Sequence, residues 1–512
     1  MLFNSYPFLF LYLPLTLLAF LILRQWHRSL AIGGLFLASL IFYGVWNPRD
    51  VILLLGSILF NFLIGQRLQK SDEETAKSRR LWLQLGIAID LGLLGYYKYA
   101  GFVGENLRNL LGLNLDVPPL MLPLGISFFT FTQIAFLVDC YRGEVREGRF
   151  LDYGLFVTYF PHLIAGPVLH HKEMMPQFRS QGLSHFRWED FSIGATLFTL
   201  GLFKKVVFAD GIAPFARAIF DAPLGTPGLF EAWGGALAFT FQLYFDFSGY
   251  SDMAIGLSRL FGVSLPVNFD SPYQARNMID FWRRWHMTLS RFLRDYLYFS
   301  LGGNRKGAFR RYLNLWLTML LGGLWHGAGW TYLAWGALHG TYLIINHGFR
   351  HWAQDRFDSD RFRFPAHLLT FLCVIGGWVL FRSPDLETAE SLYRGMLGLN
   401  GALIPESLIP AYLKIPLTQV GLNVGEPLAF SSLPGQTAGL LLWILGLGFI
   451  AFKMPNSQTL LRRYRPTLSE TKAPPHAFLF EPRPLSLFLT VAAFLYGLTA
   501  MGTVSEFLYF QF

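Results

Sequence analysis

Apolar runs long enough to cross a lipid bilayer recur along the whole chain. A helix needs about 20 residues to span the hydrocarbon core, with a range of roughly 17–25. Such runs, some of them short enough to be tilted or re-entrant, lie at 2–23, 30–46, 51–66, 81–99, 119–138, 151–169, 191–208, 230–247, 312–328, 331–347, 366–381, 436–452 and 484–503. Only a helix satisfies its backbone within one segment in hydrocarbon. The pattern predicts an all-α, polytopic integral membrane protein with about 11 transmembrane helices.

Composition agrees with this class. Of the 512 residues, 53% are hydrophobic and 15% are charged, whereas soluble domains carry about 25% charged residues. The net charge of +9 lies in short loops between apolar runs, which favours a positive-inside bias and argues against a nucleic-acid partner. The two cysteines, Cys140 and Cys373, exclude a disulfide framework and a cysteine-rich metal site.

The distribution of Lys and Arg predicts the orientation of the chain. Basic segments lie at 24–28, 67–80, 142–149, 350–363 and 462–472, whereas 1–4, 47–50 and 395–436 are poor in Lys and Arg. Because basic loops stay in the cytoplasm, we expect both termini and the 395–436 loop to be periplasmic. The sequence has no repeat of 20–50 residues and no inverted duplication of hydropathy, which weakens the case for a secondary transporter.

Arginine, tryptophan and histidine are concentrated in the otherwise oily region at 280–297. If this segment is one helix, about 100° per residue places Arg283, Arg284, Arg291 and Arg294 in one sector, with His286 and Trp282 on its border. Arginine forks match phosphate oxygens, so the stripe could bind a phosphate-bearing substrate. The alternative is an interfacial helix whose arginines contact lipid headgroups, with His286 as a packed, hydrogen-bonded histidine.

His326 is the stronger catalytic candidate. It follows Trp325 at the end of an apolar run, with Gly322 and Gly323 one turn earlier. Glycines beside an imidazole could leave open volume for a substrate, and a neutral imidazole is a good general base near pH 7. The alternative is close helix packing, since Gly323 and Gly327 form a small-xxx-small pair.

The remaining polar groups in apolar runs allow two interpretations. Asp90, Asp246, Ser248 and Asp252 could line a tunnel or neutralise arginines, or they could form interhelical hydrogen bonds. His339 and His347 have the pattern of structural residues. The sequence contains no nucleophile elbow, no Walker phosphate-binding loop and no His-Glu-x-x-His motif, so we expect no metal site.

Several segments together resemble the membrane-bound O-acyltransferase (MBOAT) family, most closely its bacterial alginate O-acetyltransferase members. The matching segments are 122–131, 160–167, 244–256, 282–290, 294–298, 301–305, 321–326 and 506–512. The similarity is densest from about 120 to 345, within what we expect to be one transmembrane domain over 1–512. One departure is Leu169-His170-His171, where the family pattern has an arginine.

The resemblance implies an O-acetyltransferase of the bacterial inner membrane, with a central tunnel through its fold. The family's invariant histidine corresponds to His326, and its second polar catalytic position to His286. The implied acetyl donor is acetyl-CoA, with no bound cofactor, and the tryptophans Trp282 and Trp325 would line the substrate path. The implied partners are membrane lipid, a periplasmic SGNH-type esterase and an exported polysaccharide.

Three other functions remain open at this point. A relative in the same class could acylate teichoic acid, peptidoglycan or cellulose. A transporter or channel with structural histidines belongs to another class, and the paired Trp-His motifs argue against it. A scaffold for a polysaccharide export complex would carry no chemistry. Loss of acetylation on replacing His326, at an unchanged protein level, would distinguish an enzyme from a transporter or a scaffold.

Overall fold

The computed structural model describes residues 1–70, 76–112, 120–145, 148–180, 186–221, 226–353, 360–409, 423–425, 427–433, 435–469, 479–502 and 508. Helix dominates these residues. The α-helices are α1 Leu13–Trp26, α2 Arg28–Gly44, α3 Pro48–Gln69, α4 Ala76–Leu94, α5 Ala100–Leu111, α6 Ile126–Arg142, α7 Phe150–Thr158, α8 Phe160–Leu163, α9 His171–Arg179, α10 Trp188–Phe203, α11 Asp210–Phe220, α12 Leu229–Leu260, α13 Met278–Trp282, α14 Met287–Phe292, α15 Gly307–His326, α16 Trp330–Ala353, α17 Arg363–Arg382, α18 Leu386–Met396, α19 Gln436–Lys453, α20 Ser457–Leu460 and α21 Pro484–Ala500. Segments of π-helix lie at Phe8–Tyr12, Gly95–Tyr99, Lys204–Ala209 and Leu293–Tyr298, and short 3₁₀ turns at Pro272–Gln274, Asp360–Phe362, Glu406–Leu408, Leu428–Phe430 and Arg462–Tyr464.

The predicted apolar runs are mainly helical. Within the described residues, five helices are long and apolar enough to cross a membrane: Phe8–Trp26, Pro48–Gln69, Trp188–Phe220, Arg363–Arg382 and Gln436–Lys453. The helices α2 and α21 are apolar but shorter. The chain is thus a multi-pass, predominantly α-helical membrane protein, and the figure of about 11 spans stays a prediction.

The run at 151–169 is not one spanning helix. The helix α7 ends at Thr158, and Tyr159 adopts an extended ψ of 105° before the four-residue α8 begins. Residues 152–171 are all buried. The uniform apolarity of this segment therefore comes from its position inside the protein, since lipid contact would leave one side exposed.

The helix α12 forms the centre of the molecule. Its 32 residues are almost all buried, and it packs against α10 along a stripe of glycines. A Cβ at Gly201 would lie 2.5 Å from the backbone oxygen of Gly249, and one at Gly256 would lie 2.6 Å from that of Gly194. The glycines thus allow the two backbones to touch, as small residues do at membrane helix interfaces.

The predicted periplasmic loop at 395–436 contains a little β-structure. Its two three-residue strands, β1 Leu403–Pro405 and β2 Asn423–Gly425, pair in parallel with Leu403 opposite Asn423. The all-α prediction needs this small correction. The rest of the loop between 410 and 422, and the C-terminal motif at 506–512 apart from Leu508, lie outside the described residues.

Candidate active site

His326 is the last residue of α15 and lies almost fully buried. Its ring meets those of Trp325, Trp335 and Phe381 edge-on, at centroid distances of 4.9, 5.1 and 5.2 Å. The imidazole also lines a cavity of about 110 Å³, called the His326 cavity below, whose other walls are Trp46, Lys98, 122–128, Ile164 and Trp325. A base in such a position can meet a substrate while aromatic rings hold its orientation.

The glycines on either side of His326 serve close packing. A Cβ at Gly323 would lie 2.3 Å from the backbone oxygen of Tyr332 and 3.0 Å from the Cα of Gly336 on α16. A Cβ at Gly327 would lie 2.1 Å from the ring of Tyr332. The expectation that Gly323 leaves open volume for a substrate is therefore wrong, because the backbone of the neighbouring helix occupies that space.

The carbonyl groups that end α15 are bonded to another helix. The ammonium group of Lys98 donates to the backbone oxygens of Trp325 at 2.6 Å and His326 at 3.1 Å. The hydroxyl of Tyr99 donates to the backbone oxygen of Leu324 at 2.8 Å. The end of a helix normally leaves such carbonyls without intrahelical partners. Lys98 and Tyr99 satisfy them, and Lys98 also lines the His326 cavity.

The segment at 280–297 is not one helix. The helix α13 ends at Trp282 and α14 begins at Met287, and between them His286 has a positive φ of 42°. The backbone of Asn268 causes the break by accepting a hydrogen bond from the amide of Met287 at 2.9 Å. This tertiary contact overrides the local helical pattern, so the predicted shared arginine sector does not form.

Asn268 also orients His286. Its side-chain oxygen accepts hydrogen bonds from the hydroxyl of Thr288 at 2.9 Å and, more weakly, from the Thr288 amide at 3.4 Å. The same Thr288 hydroxyl accepts a hydrogen bond from the backbone amide of Val168 at 2.9 Å. The Nδ1 of His286 lies 3.0 Å from the same Asn268 oxygen. Because this oxygen can only accept, Nδ1 must carry the proton, and the lone pair of the neutral ring lies at Nε2.

The two histidines lie on separate elements, His286 directly before α14 and His326 at the end of α15. His286 is fully buried, with Phe247 edge-on to it at 4.8 Å. It lines neither of the two cavities described here. The tunnel shared by the two rings therefore stays a prediction.

Carboxylates neutralise three of the four predicted substrate-binding arginines. Arg284 bonds Asp280 at 2.9 Å, and Arg291 forms a bidentate pair with Glu173 at 2.5 and 2.8 Å. Arg294 pairs with its neighbour Asp295 at 2.7 Å. The fourth, Arg283, is solvent-exposed. Three of the guanidinium groups thus point to different carboxylates, and the four do not form one phosphate-binding stripe.

A second cavity, of about 270 Å³, lies at the other end of α15. This arginine cavity is lined by Trp282, Ser290, Leu293, Arg294, Tyr298, Arg311, Leu315, Thr318, Met319, Leu343 and His347. Arg311 and His326 are 15 residues apart on α15, about 22 Å along the helix, and the arginine cavity extends along α15 from Arg311 to Met319. The helix therefore connects a basic cavity near its start with the histidine at its end.

An apolar cluster links the two cavities. Leu293, which lines the arginine cavity, packs in one cluster with Trp325, which lines the His326 cavity. Phe131 stacks between Trp325 and Phe292 in this region, at ring distances of 5.2 and 4.5 Å. Of the two predicted substrate-binding tryptophans, Trp282 lines the arginine cavity and Trp325 lines the His326 cavity. Both side chains are largely buried.

The carboxylates of α12 form ion pairs with lysines. Asp252 bonds Lys204 at 2.6 Å, and Asp246 bonds Lys205 at 2.6 Å. Gln458 adds a hydrogen bond to Asp252 at 2.6 Å. The carboxylate of Asp90 accepts a hydrogen bond from the side-chain amide of Asn61 at 2.8 Å. Interhelical bonding is therefore the correct interpretation of these three carboxylates, with lysine and asparagine as partners in place of arginine.

Comparison with known proteins identifies the family. The model of the MBOAT, membrane-bound O-acyltransferase family matches residues 116–381. The chain belongs to the MBOAT family. It is accordingly an acyltransferase, and the matched region contains His286, His326 and both cavities except for Trp46 and Lys98.

Relatives of this MBOAT chain are named after three different polymers. The probable alginate O-acetylase AlgI of Pseudomonas putida is 40% identical over 526 residues, covering 100% of both chains. The peptidoglycan O-acetyltransferase of Helicobacter pylori is 43% identical over 428 residues, covering 78% of this chain and 80% of the relative. A teichoic acid D-alanyltransferase of Streptococcus thermophilus is 30% identical, covering 44% of this chain and 56% of its own.

Sequence reasoning missed three residues of this MBOAT site. Asn268 lies in a loop between α12 and α13, and no local pattern connects it to His286. Arg311 drew no prediction, although its place near the start of an apolar run was the available signal. Lys98 was missed too, although a lysine among three tyrosines at the end of the 81–99 run is unusual enough to have drawn attention.

Proposed function

We propose that this MBOAT protein takes an acetyl group from a cytoplasmic thioester, acetyl-CoA, and transfers it across the bacterial inner membrane for O-acetylation of an exported polysaccharide of the alginate kind. The observation that carries the proposal is the arrangement along α15. Arg311 of the basic cavity and His326 of the other cavity lie about 22 Å apart along this helix. This separation suits a transfer from one side of the membrane to the other.

The arginine cavity suits the donor. Arg294 and Arg311 line it, and His347 lies 3.5 Å from Arg311. Coenzyme A carries phosphates, which guanidinium groups bind well. The last turn of α16 contains Arg350 and His351 and lies at the same end of the helix pair as Arg311. The positive-inside rule assigns the basic segment 350–363 to the cytoplasm, where acetyl-CoA is available.

The His326 cavity suits the acceptor. In the proposed reaction, His326 accepts the proton from an acceptor hydroxyl as its oxygen attacks the carbonyl carbon of the thioester. The carbon–sulfur bond breaks, and the departing thiolate of coenzyme A takes up a proton. His286, with its lone pair at Nε2, assists by orienting the thioester or by moving that proton. The acceptor hydroxyl belongs to a periplasmic SGNH-type partner, which passes the acetyl group to the glycan.

Peptidoglycan is the second candidate substrate. The relative named for it is 43% identical to this chain, against 40% for the full-length alginate relative. The two identities are too similar to choose between glycans, whereas the alignment over the full length of both chains favours the alginate assignment.

The experiment is a deletion of the gene, complemented by the wild type or by His326→Ala. Ester-linked acetate is then measured separately in the purified exopolysaccharide and in the purified peptidoglycan. Loss of acetate from the exopolysaccharide alone supports the proposal, and loss from peptidoglycan alone supports the second candidate. Unchanged acetate in both fractions contradicts acetylation of either glycan.

A further inference from the structure

The lysine beside the catalytic histidine lies on an unusual piece of helix. Residues 76–111 form one continuous helical rod in which Gly95–Tyr99 is π-helical, between α4 and α5. Single π-helical turns occur frequently at functional sites, because the extra residue redirects side chains. Here the π-helical turn presents two consecutive residues, Lys98 and Tyr99, to the end of α15.

The three N–H donors of Lys98 are all used within the protein. They bond the backbone oxygens of Trp325 and His326 at 2.6 and 3.1 Å, and the hydroxyl of Ser127 at 3.3 Å. An ammonium group has only three donors. Lys98 therefore has no donor left for a substrate, although it lines the same cavity as His326.

The end of α15 depends on these bonds. The carbonyls of Leu324, Trp325 and His326 fall in the last turn, where a helix has no partners of its own for them. A cation is favourable at this negative end of the helix dipole. Beyond it Gly327 is extended, with φ −159°, so the chain that follows does not continue the helix.

We propose that Lys98 is a positioning residue, which fixes the last turn of α15 and thereby holds the imidazole of His326 at the acyl-transfer centre, with Tyr99 adding a third bond. The role of His326 in this inference rests on the proposed function. A base displaced by about 1 Å can lose about 10²-fold in rate. The position of His326 therefore controls turnover without touching the binding of the donor phosphates, because Arg311 lies about 22 Å from His326 along α15.

The test uses the full-length protein reconstituted in proteoliposomes, with acetyl-CoA and the periplasmic partner. We expect Lys98→Met to lower kcat by about 10²-fold and to leave the KM for acetyl-CoA within twofold. Lys98→Arg should recover part of the lost kcat, since a guanidinium group can bond the same two carbonyls. Tyr99→Phe, which removes only the bond to Leu324, should cost less than Lys98→Met.

Lys204→Met is the matched control, because it removes another largely buried lysine, one that is paired with Asp252 and lines neither cavity. It should lower thermal stability and leave kcat per folded protein near the wild-type value. A wild-type kcat in Lys98→Met would overturn the proposal, as would a loss in Lys98→Met that Lys98→Arg does not recover at all.

A readout without turnover separates this inference from the proposed function. Hydrogen–deuterium exchange in the peptide covering 320–328 should increase in Lys98→Met and stay unchanged in Lys204→Met. If the rate of acetyl transfer by the wild type does not exceed that of His326→Ala, the proposed function fails. The hydrogen–deuterium exchange result then tests by itself whether Lys98 holds this turn. Unchanged exchange in Lys98→Met would contradict the proposal.

Discussion

The Nδ1 atom of His286 lies 3.0 Å from the side-chain oxygen of Asn268, and this contact sets the tautomer of the imidazole. The two residues are 18 positions apart and on different elements. His286 can therefore present its Nε2 lone pair only while the Asn268 amide stays in place, and that amide is itself held by Thr288 and Ser251.

Asn268→Ala should lower acetyl transfer by about tenfold, the equivalent of one lost hydrogen bond of about 1.4 kcal/mol. The measurement is the initial rate in proteoliposomes at saturating donor. Ser251→Ala is the comparison and should cost less, because it removes one bond to the nitrogen of the same amide, at 3.2 Å, and leaves the oxygen that meets His286 in place. An equal loss in both variants would show that the amide matters for packing and not for orienting His286.

Gly336→Ala should destabilise the protein by about 1–3 kcal/mol, the usual cost of overpacking. The new Cβ would lie 2.5 Å from the backbone oxygen of Met319, where α16 touches α15. Thermal unfolding in detergent measures the effect. The control is Gly348→Ala on the same helix, where no atom lies within 4 Å of the new Cβ. Equal melting temperatures for both variants would refute the close-packing interpretation.

Arg311→Gln should raise the KM for acetyl-CoA by about tenfold, since a charge-assisted hydrogen bond contributes about 1.5–3 kcal/mol. Its neighbour Arg310 is exposed and does not line the arginine cavity, so Arg310→Gln should leave the KM near the wild-type value. The donor titration is done at a fixed acceptor concentration. An unchanged KM in Arg311→Gln would show that this cavity does not bind the donor phosphates.

The helices could be predicted from the sequence to a large extent, and the site much less. Apolar runs such as 363–382 are helical because hydrocarbon and the protein interior both require a satisfied backbone. The break at Tyr159 could not be predicted, since both sides are equally apolar. The break at His286 could not be either, because the amide of Met287 bonds a residue 19 positions earlier. His326 could be recognised as a candidate from its Trp-His motif. The contact of Lys98 with the end of α15 could be recognised only from the tertiary structure.

The orientation of the chain can be tested with single cysteines. In a variant lacking Cys140 and Cys373, we place a cysteine at Leu399, which is 65% exposed and lies in the Lys- and Arg-poor 395–436 loop. A second variant has its cysteine at Met454, in the segment 453–483 that contains the basic run 462–472 and is expected to be cytoplasmic. The positive-inside rule predicts that a membrane-impermeant thiol reagent labels the cysteine at 399 in cells with a permeabilised outer membrane, and does not label the one at 454. The reverse pattern would invert the topology.

The most direct test of the account is the rate of acetyl transfer by His326→Ala in proteoliposomes, compared with wild type and with His351→Ala, a change at an exposed histidine near the end of α16. Loss of a general base typically costs about 10²–10⁴-fold in rate, and we expect a loss of that size in His326→Ala with thermal stability close to the wild type, while His351→Ala keeps full activity. A folded His326→Ala protein that transfers acetyl at the wild-type rate would contradict the assignment of His326 as the catalytic base.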